Sequence, residues 1–337
     1  DADGAPPAIP QTTLRSFERH IEVRWDPSLD PDAETVKIEK RAGATWQHAG
    51  DVRAEDGGFA DWLGAVGLSG VYRAIALDWS LNTSPVGAPD SAATVTMDEN
   101  QWLDMAEEAA FRYFWLHAHP VSGMAREAYG SGETCASGGT GMGMMATIAA
   151  AERGWITREQ ARDRILQILQ FLDANAERYH GAFAHWINGT TGATIPFNGP
   201  DDYSGDTVET AYLFEGFLTA RQYFDGPHDD EVAIRTLATQ MWEEIDWEWY
   251  RAESPGNVIY WHWSPIWGFS QTQSVAGWHE GMITYLLAVA SPTHPVPVSC
   301  YHEGWAKSGA MINGQSFYGY TLPVGPDWGG PLFFAHY

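Results

Sequence analysis

The chain has 337 residues, which is enough for two domains of ordinary size or for one large domain with a small one attached. Its formal net charge of -25 disfavours binding to nucleic acid and to anionic membranes, because both would repel such an acidic surface. No apolar run approaches the roughly 20 residues of a membrane span. The 17 Trp and 14 Tyr residues favour a carbohydrate cleft lined by aromatic rings, although a Trp-rich helical core is the alternative.

The first residues, 1–15, are rich in Pro and Ala and are expected to form a flexible arm. Because the chain opens on Asp1 and not on methionine, we expect a bacterial protein that is periplasmic or secreted and has lost its signal peptide. The two cysteines, Cys135 and Cys300, form no zinc-binding pattern, and the sequence leaves open whether they pair. We expect neither a metal nor a cofactor.

Residues 16–93 are predicted to form a small all-β sandwich. Segments 20–25, 35–40 and 71–78 alternate apolar and polar residues with a period of two, and Gly and Pro punctuate the turns between them. Short strands at this spacing are typical of a β-sandwich, and the stretch from Trp25 to Asp78 resembles a fibronectin type III module. We interpret this domain as a spacer or packing partner and not as the catalytic unit.

The hydrophobic period changes to 3.6 at about residue 94, so residues 94–337 are predicted to be mainly helical. The predicted helices lie near 102–113, 138–151, 157–172, 205–224, 234–245 and 275–290. Thr157 and Gln160 form a capping box at the start of the third. Long loops rich in Gly, Pro, Trp and His connect these helices and are expected to build the functional site.

Helix pairs around an aromatic, acidic cleft predict an (α/α)6-barrel, also called a toroid. Such a ring needs about twelve helices, and this chain holds about half of them, so the barrel is expected to be incomplete here. We therefore expect residues 94–337 to be the N-terminal part of the domain, completed by a second chain or by further C-terminal sequence. The apolar run 333–337 has the composition of the start of another helix.

The helix at 205–224 carries an acid at its beginning. Asp206 has the position of an N-cap, and Glu209 lies in the first turn on a stripe that is otherwise apolar and small. Glu209 is therefore either a catalytic acid or half of a capping box with Asp206. The helix dipole is expected to lower the pKa of Glu209, which opposes an acid role.

Other candidate residues lie in loops or at helix ends. Glu127 follows Arg126, which should keep it ionised and suits a base or a substrate contact. The predicted substrate-binding residues are Arg126, Glu133, Trp186, Asp206, His262, Trp263, Trp278, His279 and Glu280. For these residues the alternatives are packing in the core, helix capping or surface salt bridges.

A series of motifs runs in order along the helical part of the chain. It includes SGMARE (122–127), GGTGMGMMA (138–146), HWINGTTG (185–192), GDTVET (205–210), YWHWSP (260–265) and YHEGWA (301–306). The series resembles glycoside hydrolase family 144, the bacterial endo-β-1,2-glucanases of the glucoamylase-like (α/α)6-barrel group.

The resemblance implies endo-hydrolysis of β-1,2-glucan to sophorooligosaccharides, with inversion and without a metal. Glu209 matches the glutamate of the family's GDxVET motif and is the first predicted catalytic residue, with Glu127 as the second. The general base in such enzymes is a second carboxylate, and the resemblance leaves open that it lies beyond residue 337. The alternatives are an exo-acting sophorose-releasing enzyme, another β-glucan hydrolase, or a non-catalytic glucan-binding protein.

Overall fold

The computed structural model describes residues 5–27, 30–252 and 257–325. The chain divides into two compact units, Asp1–His117 and Ala118–Tyr337. The first unit therefore extends beyond residue 93, the predicted end of the β-sandwich domain, and includes the first helix. The predicted boundary between the two domains, after residue 93, stays a prediction.

The first unit contains two antiparallel sheets with one shared core. The strands are β1 (Thr13–Ser16), β2 (His20–Arg24), β3 (Thr35–Ala42), β4 (Thr45–Arg53), β5 (Gly58–Trp62), β6 (Ser69–Leu77) and β7 (Asp90–Ala93). One sheet has the order β1-β2-β5 and the other β4-β3-β6-β7. Ile21, Val36 and Tyr72 belong to the core between them. The predicted sandwich is present, while its assignment to the fibronectin type III class stays a prediction.

The N-terminal arm is shorter than predicted. Residues 13–15, which we assigned to a flexible arm, belong to strand β1, where Thr13 pairs with Arg24 and Ser16 with Ile21. The reason is that β1 supplies backbone hydrogen bonds to an edge of β2 that would otherwise be unpaired.

Helix α1 (Glu99–Leu116) completes the first unit. It begins with a capping box between Asp98 and Gln101. Its Glu108 is buried, and the carboxylate forms ion pairs with Arg15 of β1 and Arg24 of β2. Because a buried carboxylate requires a cationic partner, these pairs attach α1 to the first sheet.

The second unit is helical. Its helices are α2 (Ser137–Glu152), α3 (Arg158–Asn175), α4 (Thr207–Tyr223), α5 (Asp229–Glu244), the short α6 (Trp249–Ala252) and α7 (Met282–Ala290). Helix α4 is central and packs against α2, α5 and α7, while α3 packs against α2 and α5. The predicted capping box of Thr157 and Gln160 is present at the start of α3. Completion of a ring by other helices stays a prediction.

Short strands connect the helices of the second unit. They are β8 (Thr134–Ala136), β9 (Arg178–Tyr179), β10 (Ala182–Phe183), β11 (Trp186–Asn188), β12 (Thr194–Ile195), β13 (Gly205–Asp206), β14 (His262–Trp263), β15 (Ser316–Phe317) and β16 (Tyr320–Thr321). The sheet β12-β11-β8 leads into α2, and the pair β13-β14 leads into α4. These two sheets fix where the helices α2 and α4 begin.

The last predicted helix is shorter than expected. We predicted it over 275–290, but α7 begins at Met282. The backbone of Val275 instead bonds to Ile259, and Gly277 has a φ of +95°, which interrupts helical geometry. A π-helix, Cys300–Trp305, was not predicted. The helix predicted to start at residue 333 lies outside the described residues.

Neither cysteine forms a disulfide, since Cys135 and Cys300 are both free thiols in buried positions. The helices of the described residues include none that is long and apolar enough to cross a membrane.

Helices α2 and α4 approach each other so closely that their contact positions must be glycines. A Cβ atom added to Gly141 would lie 2.1 Å from the backbone oxygen of Tyr212, and one added to Gly216 would lie 2.6 Å from the oxygen of Gly141. Backbone atoms cannot move aside as a flexible side chain can. The small residues of the GGTGMG segment therefore serve helix packing.

We expect Gly141→Ala to lower the free energy of unfolding by about 1–3 kcal/mol or more, because a methyl group there collides with the α4 backbone. The measurement is urea unfolding followed by circular dichroism. Gly139→Ala is the matched control, since its Cβ would meet only Ala136 Cβ, at 3.3 Å. Equal stability of the two variants would contradict this account of the packing.

Candidate active site

Asp206 is the most buried of the predicted site residues, with no exposed surface. Its Oδ1 accepts hydrogen bonds from the backbone N–H groups of Val208 and Glu209, both at 3.0 Å, so it is the N-cap of α4 as predicted. A carboxylate without accessible surface cannot touch a substrate directly. The predicted role of Asp206 as a substrate contact is therefore corrected to an internal one.

Two histidines donate to the other oxygen of Asp206. His185 Nδ1 lies 2.9 Å and His262 Nε2 lies 3.1 Å from Asp206 Oδ2. Because a carboxylate only accepts, the ring nitrogen that faces Asp206 must carry a proton in both histidines. Antiparallel pairing of Asp206 with His262 in β13-β14 brings the second histidine to this position.

His185 also forms one side of an aromatic contact. Its ring stacks on Phe197, with centroids 3.8 Å apart, and Trp186 packs edge-on against Phe197 at 4.9 Å. Phe197 is partly exposed, so the stack reaches the surface of the second unit. The Nε1 atom of Trp186 is buried and has no hydrogen-bond partner among the described residues.

Glu209 does not cap its own helix. Its Oε2 accepts a hydrogen bond of 3.0 Å from the backbone N–H of Gly138, in the first turn of α2. A Cβ atom on Gly138 would lie 2.3 Å from that oxygen. Of the two roles that the sequence left open, the structure therefore disfavours the capping box, because the carboxyl points to a neighbouring helix.

Burial raises the pKa of Glu209 to about 7, and the negative charge of Asp206 acts in the same direction. The charge of His185 and the hydrogen bond from Gly138 act against them. The expected lowering of this pKa by the helix dipole was wrong, because desolvation and a neighbouring carboxylate outweigh it. Glu209 can thus hold a proton near neutral pH.

The pKa of Asp206 is lowered, whereas that of His185 is raised. Burial by itself would raise the pKa of Asp206, but the charge of His262 and the hydrogen bond from His185 bring it well below its usual value. Burial works to lower the pKa of His185, but the hydrogen bond and charge of Asp206 raise it. The site therefore favours the ionised form of Asp206 and raises the pKa of Glu209.

Glu127 is exposed and lies in the loop before β8. Its negative charge contributes to raising the pKa of both Glu209 and His185, so it lies within electrostatic reach of the two. The preceding Arg126 donates from Nε to the backbone oxygen of Gly132 at 2.9 Å, which holds this loop in shape.

Glu133 lies at another position on the same loop. It is exposed and contacts the buried His119, with 3.3 Å between His119 Nε2 and Glu133 Oε2. A hydrogen bond with Thr190 lowers the pKa of Glu133, and the charge of His119 contributes. These contacts place Glu133 in a loop-supporting cluster, and no contact recorded for the described residues joins it to Glu209.

The other predicted aromatic and polar residues lie in further contacts of the second unit. Trp263 packs edge-on against His180 and Trp249, at 4.6 and 5.6 Å. His279 stacks on Trp261, which in turn stacks on His262. Glu280 accepts a hydrogen bond at its backbone oxygen from Tyr212 of α4. Trp278 packs against Trp305 instead, as a partly buried core residue.

Two residues of the site were missed by sequence reasoning. Gly138 was noted only as the first residue of the GGTGMGMMA motif, and Phe197 was not singled out. The GDTVET and HWINGTTG motifs locate Glu209 and His185, but no local pattern shows which residues meet them from other elements. Among the described residues, no group of three His, Cys, Asp or Glu side chains is arranged to hold a metal ion.

The chain resembles several known proteins. Residues 272–337 match the Glycoamylase family model. The chain is 41% identical to an exo β-1,2-glucooligosaccharide sophorohydrolase (non-reducing end) of Parabacteroides distasonis, over 96% of this chain and 47% of the relative. The chain thus spans about half the length of that curated relative.

Two solved structures resemble the protein. A β-1,2-glucanase from Parabacteroides distasonis has a TM-score of 0.88 and 39% identity, covering 98% of this chain and 50% of the other. An endo-β-1,2-glucanase from Chitinophaga pinensis, in complex with sophorotriose and glucose, has a TM-score of 0.66 and 42% identity, covering 71% of this chain and 59% of the other.

The chain is similar to proteins of the glucoamylase-like group. The relatives named above are β-1,2-glucan hydrolases, in agreement with the resemblance drawn from the motif series.

We expect Gly138→Ala to displace the Glu209 carboxyl, because the new methyl group would lie 2.3 Å from Oε2. The protein should stay folded, since the colliding atom is the end of a side chain. The measurement is a crystal structure of the variant with its thermal unfolding, and Gly139→Ala is again the control. A Glu209 carboxyl in its original position would contradict this prediction.

Proposed function

We propose that this chain carries the acid side of a glycoside hydrolase that acts on β-1,2-glucan, with Glu209 as the general acid. The observation that carries the proposal is the Glu209 carboxyl, partly accessible and held with a pKa of about 7. A general acid must keep its proton near the working pH to protonate the departing glycosidic oxygen. The β-1,2-glucan specificity is taken from the named activities of the relatives.

Glu127 is the second carboxylate of the proposal. Inverting hydrolysis needs a base that activates water, about 6.5–9.5 Å from the acid. Glu127 is exposed, so it can meet water, and its charge is felt at Glu209. The open surface around Phe197 and Trp186 provides aromatic rings on which glucose residues can stack.

The cleavage mode is the finer part of the proposal. The sequence motifs favour endo-hydrolysis, as in the Chitinophaga pinensis enzyme, which covers 71% of this chain. The relative that aligns over 96% of this chain, and so includes the first unit, is an exo sophorohydrolase. We propose release of sophorose from a chain end as the better-supported mode. Export to the periplasm or to the medium stays a prediction.

Glu209→Gln should reduce kcat on β-1,2-glucan by about 10²–10⁴-fold, the usual contribution of a general acid. Activity of the unmodified protein should fall above about pH 7, because Glu209 loses its proton there. The measurement is the rate of reducing-end formation between pH 5 and 9.

Glu215→Gln is the matched control, because Glu215 is a carboxyl of the same helix whose pKa burial also raises. It should leave the rate and its pH dependence unchanged. Full activity of Glu209→Gln would remove Glu209 from the acid role, and binding of glucan without hydrolysis by the unmodified protein would favour a binding protein.

Early products distinguish the two cleavage modes. Sophorose release from chain ends should give a single disaccharide while the polymer stays long, as measured by chromatography of the first few per cent of hydrolysis. A ladder of longer sophorooligosaccharides at that stage would contradict the exo mode and support the endo mode.

A further inference from the structure

One carboxylate joins three separate elements of the second unit. Asp206 receives backbone N–H groups from the first turn of α4, His185 from the segment between β10 and β11, and His262 from β14. It is fully buried, and all four of these bonds are between 2.9 and 3.1 Å. Helix capping alone would use only one of its two oxygens.

We propose that Asp206 is the positioning residue of the site: its carboxylate holds the first turn of α4, His185 and His262 in one arrangement and places a negative charge near Glu209. The proposal rests on the proposed function, since it presumes that Glu209 works as an acid. Asp206 itself stays away from the substrate because it has no accessible surface.

The charges around Glu209 come from three elements and have opposite effects. Asp206 of β13 and Glu127 of the loop before β8 favour the protonated carboxyl, whereas His185 and the Gly138 N–H favour the ionised one. Burial acts to lower the pKa of His185, whereas the hydrogen bond and charge of Asp206, together with the nearby acids Glu209 and Glu127, raise it. Asp206 and His185 thus act on Glu209 with opposite signs.

Because the charges of Asp206 and His185 have opposite effects on the pKa of Glu209, variants of the two residues can distinguish an effect of charge from a merely structural role. Asp206→Asn keeps an oxygen that can accept from Val208 and Glu209, but it removes the charge. His185→Asn keeps a donor for Asp206 close to the place of Nδ1 and removes the titratable ring. A structural defect would change the site in the same way in both variants, whereas loss of the two charges shifts Glu209 in opposite directions.

The test is an NMR titration of the protein labelled with ¹³C at the glutamate carboxyl carbon, with the Glu209 signal assigned by its absence in Glu209→Gln. The Glu209 midpoint should fall by about one pH unit in Asp206→Asn and rise by about one in His185→Asn. Asp206→Asn removes the charge that raises the Glu209 midpoint. It also weakens the opposing charge of His185, which loses its partner, so the expected fall is the net of these two effects. Glu215→Gln should leave the midpoint in place.

The proposal is overturned if the midpoint stays in place in either variant or moves the same way in both. Should Asp206→Asn not fold, as judged by circular dichroism, His185→Asn decides: a midpoint that stays or falls overturns the proposal. The titration needs no glucan, so a protein that leaves the polymer intact would sink the proposed function and still allow this test. In an active protein, the alkaline fall of the rate should follow the midpoint in each variant.

Discussion

The close contact between α2 and α4 is the constraint on which the rest of the site depends. Without side chains at Gly138 and Gly141, the first turn of α2 comes near enough for its backbone N–H to reach a carboxyl on α4. The same approach buries Glu209 and so raises its pKa. Helix packing, normally a matter of stability, here creates the electrostatic environment of the candidate acid.

Asp206 and Glu209 are three residues apart, yet their environments drive them to opposite protonation states. Asp206 lies among hydrogen-bond donors and two imidazoles, which stabilise its charge. Glu209 has one N–H donor, a neighbouring negative charge and a largely buried carboxyl. When the pKa values of two neighbouring acids differ in this way, the acid with the raised pKa, here Glu209, is usually assigned as the proton donor. Spacing in the sequence cannot supply this difference, because it arises from other elements.

Sequence patterns correctly predicted the features that depend on interactions between residues close together in the chain. The N-cap at Asp206 and the capping box at Thr157 follow from side chains that bond to backbone within three residues, and both are present. The start of α7 and the pKa of Glu209 were predicted wrongly, because each depends on distant contacts: Val275 with Ile259, and Glu209 with Gly138 and His185. The motif resemblance pointed to the candidate residues, whereas their geometry required the fold.

The two buried acids also affect stability in opposite ways. Glu209 has a folded pKa above its unfolded value, so its contribution is fully present at acid pH and is lost as the pH rises toward about 7. Asp206 has a folded pKa below its unfolded value, so its contribution is present at neutral pH and is lost only in strong acid. At neutral pH the fold is therefore held by Asp206 and its histidines while it tolerates a destabilising Glu209. Glu209 thus lowers stability at neutral pH, yet the groups around it hold it in place. This combination is expected of a residue that is retained for chemistry and not for stability.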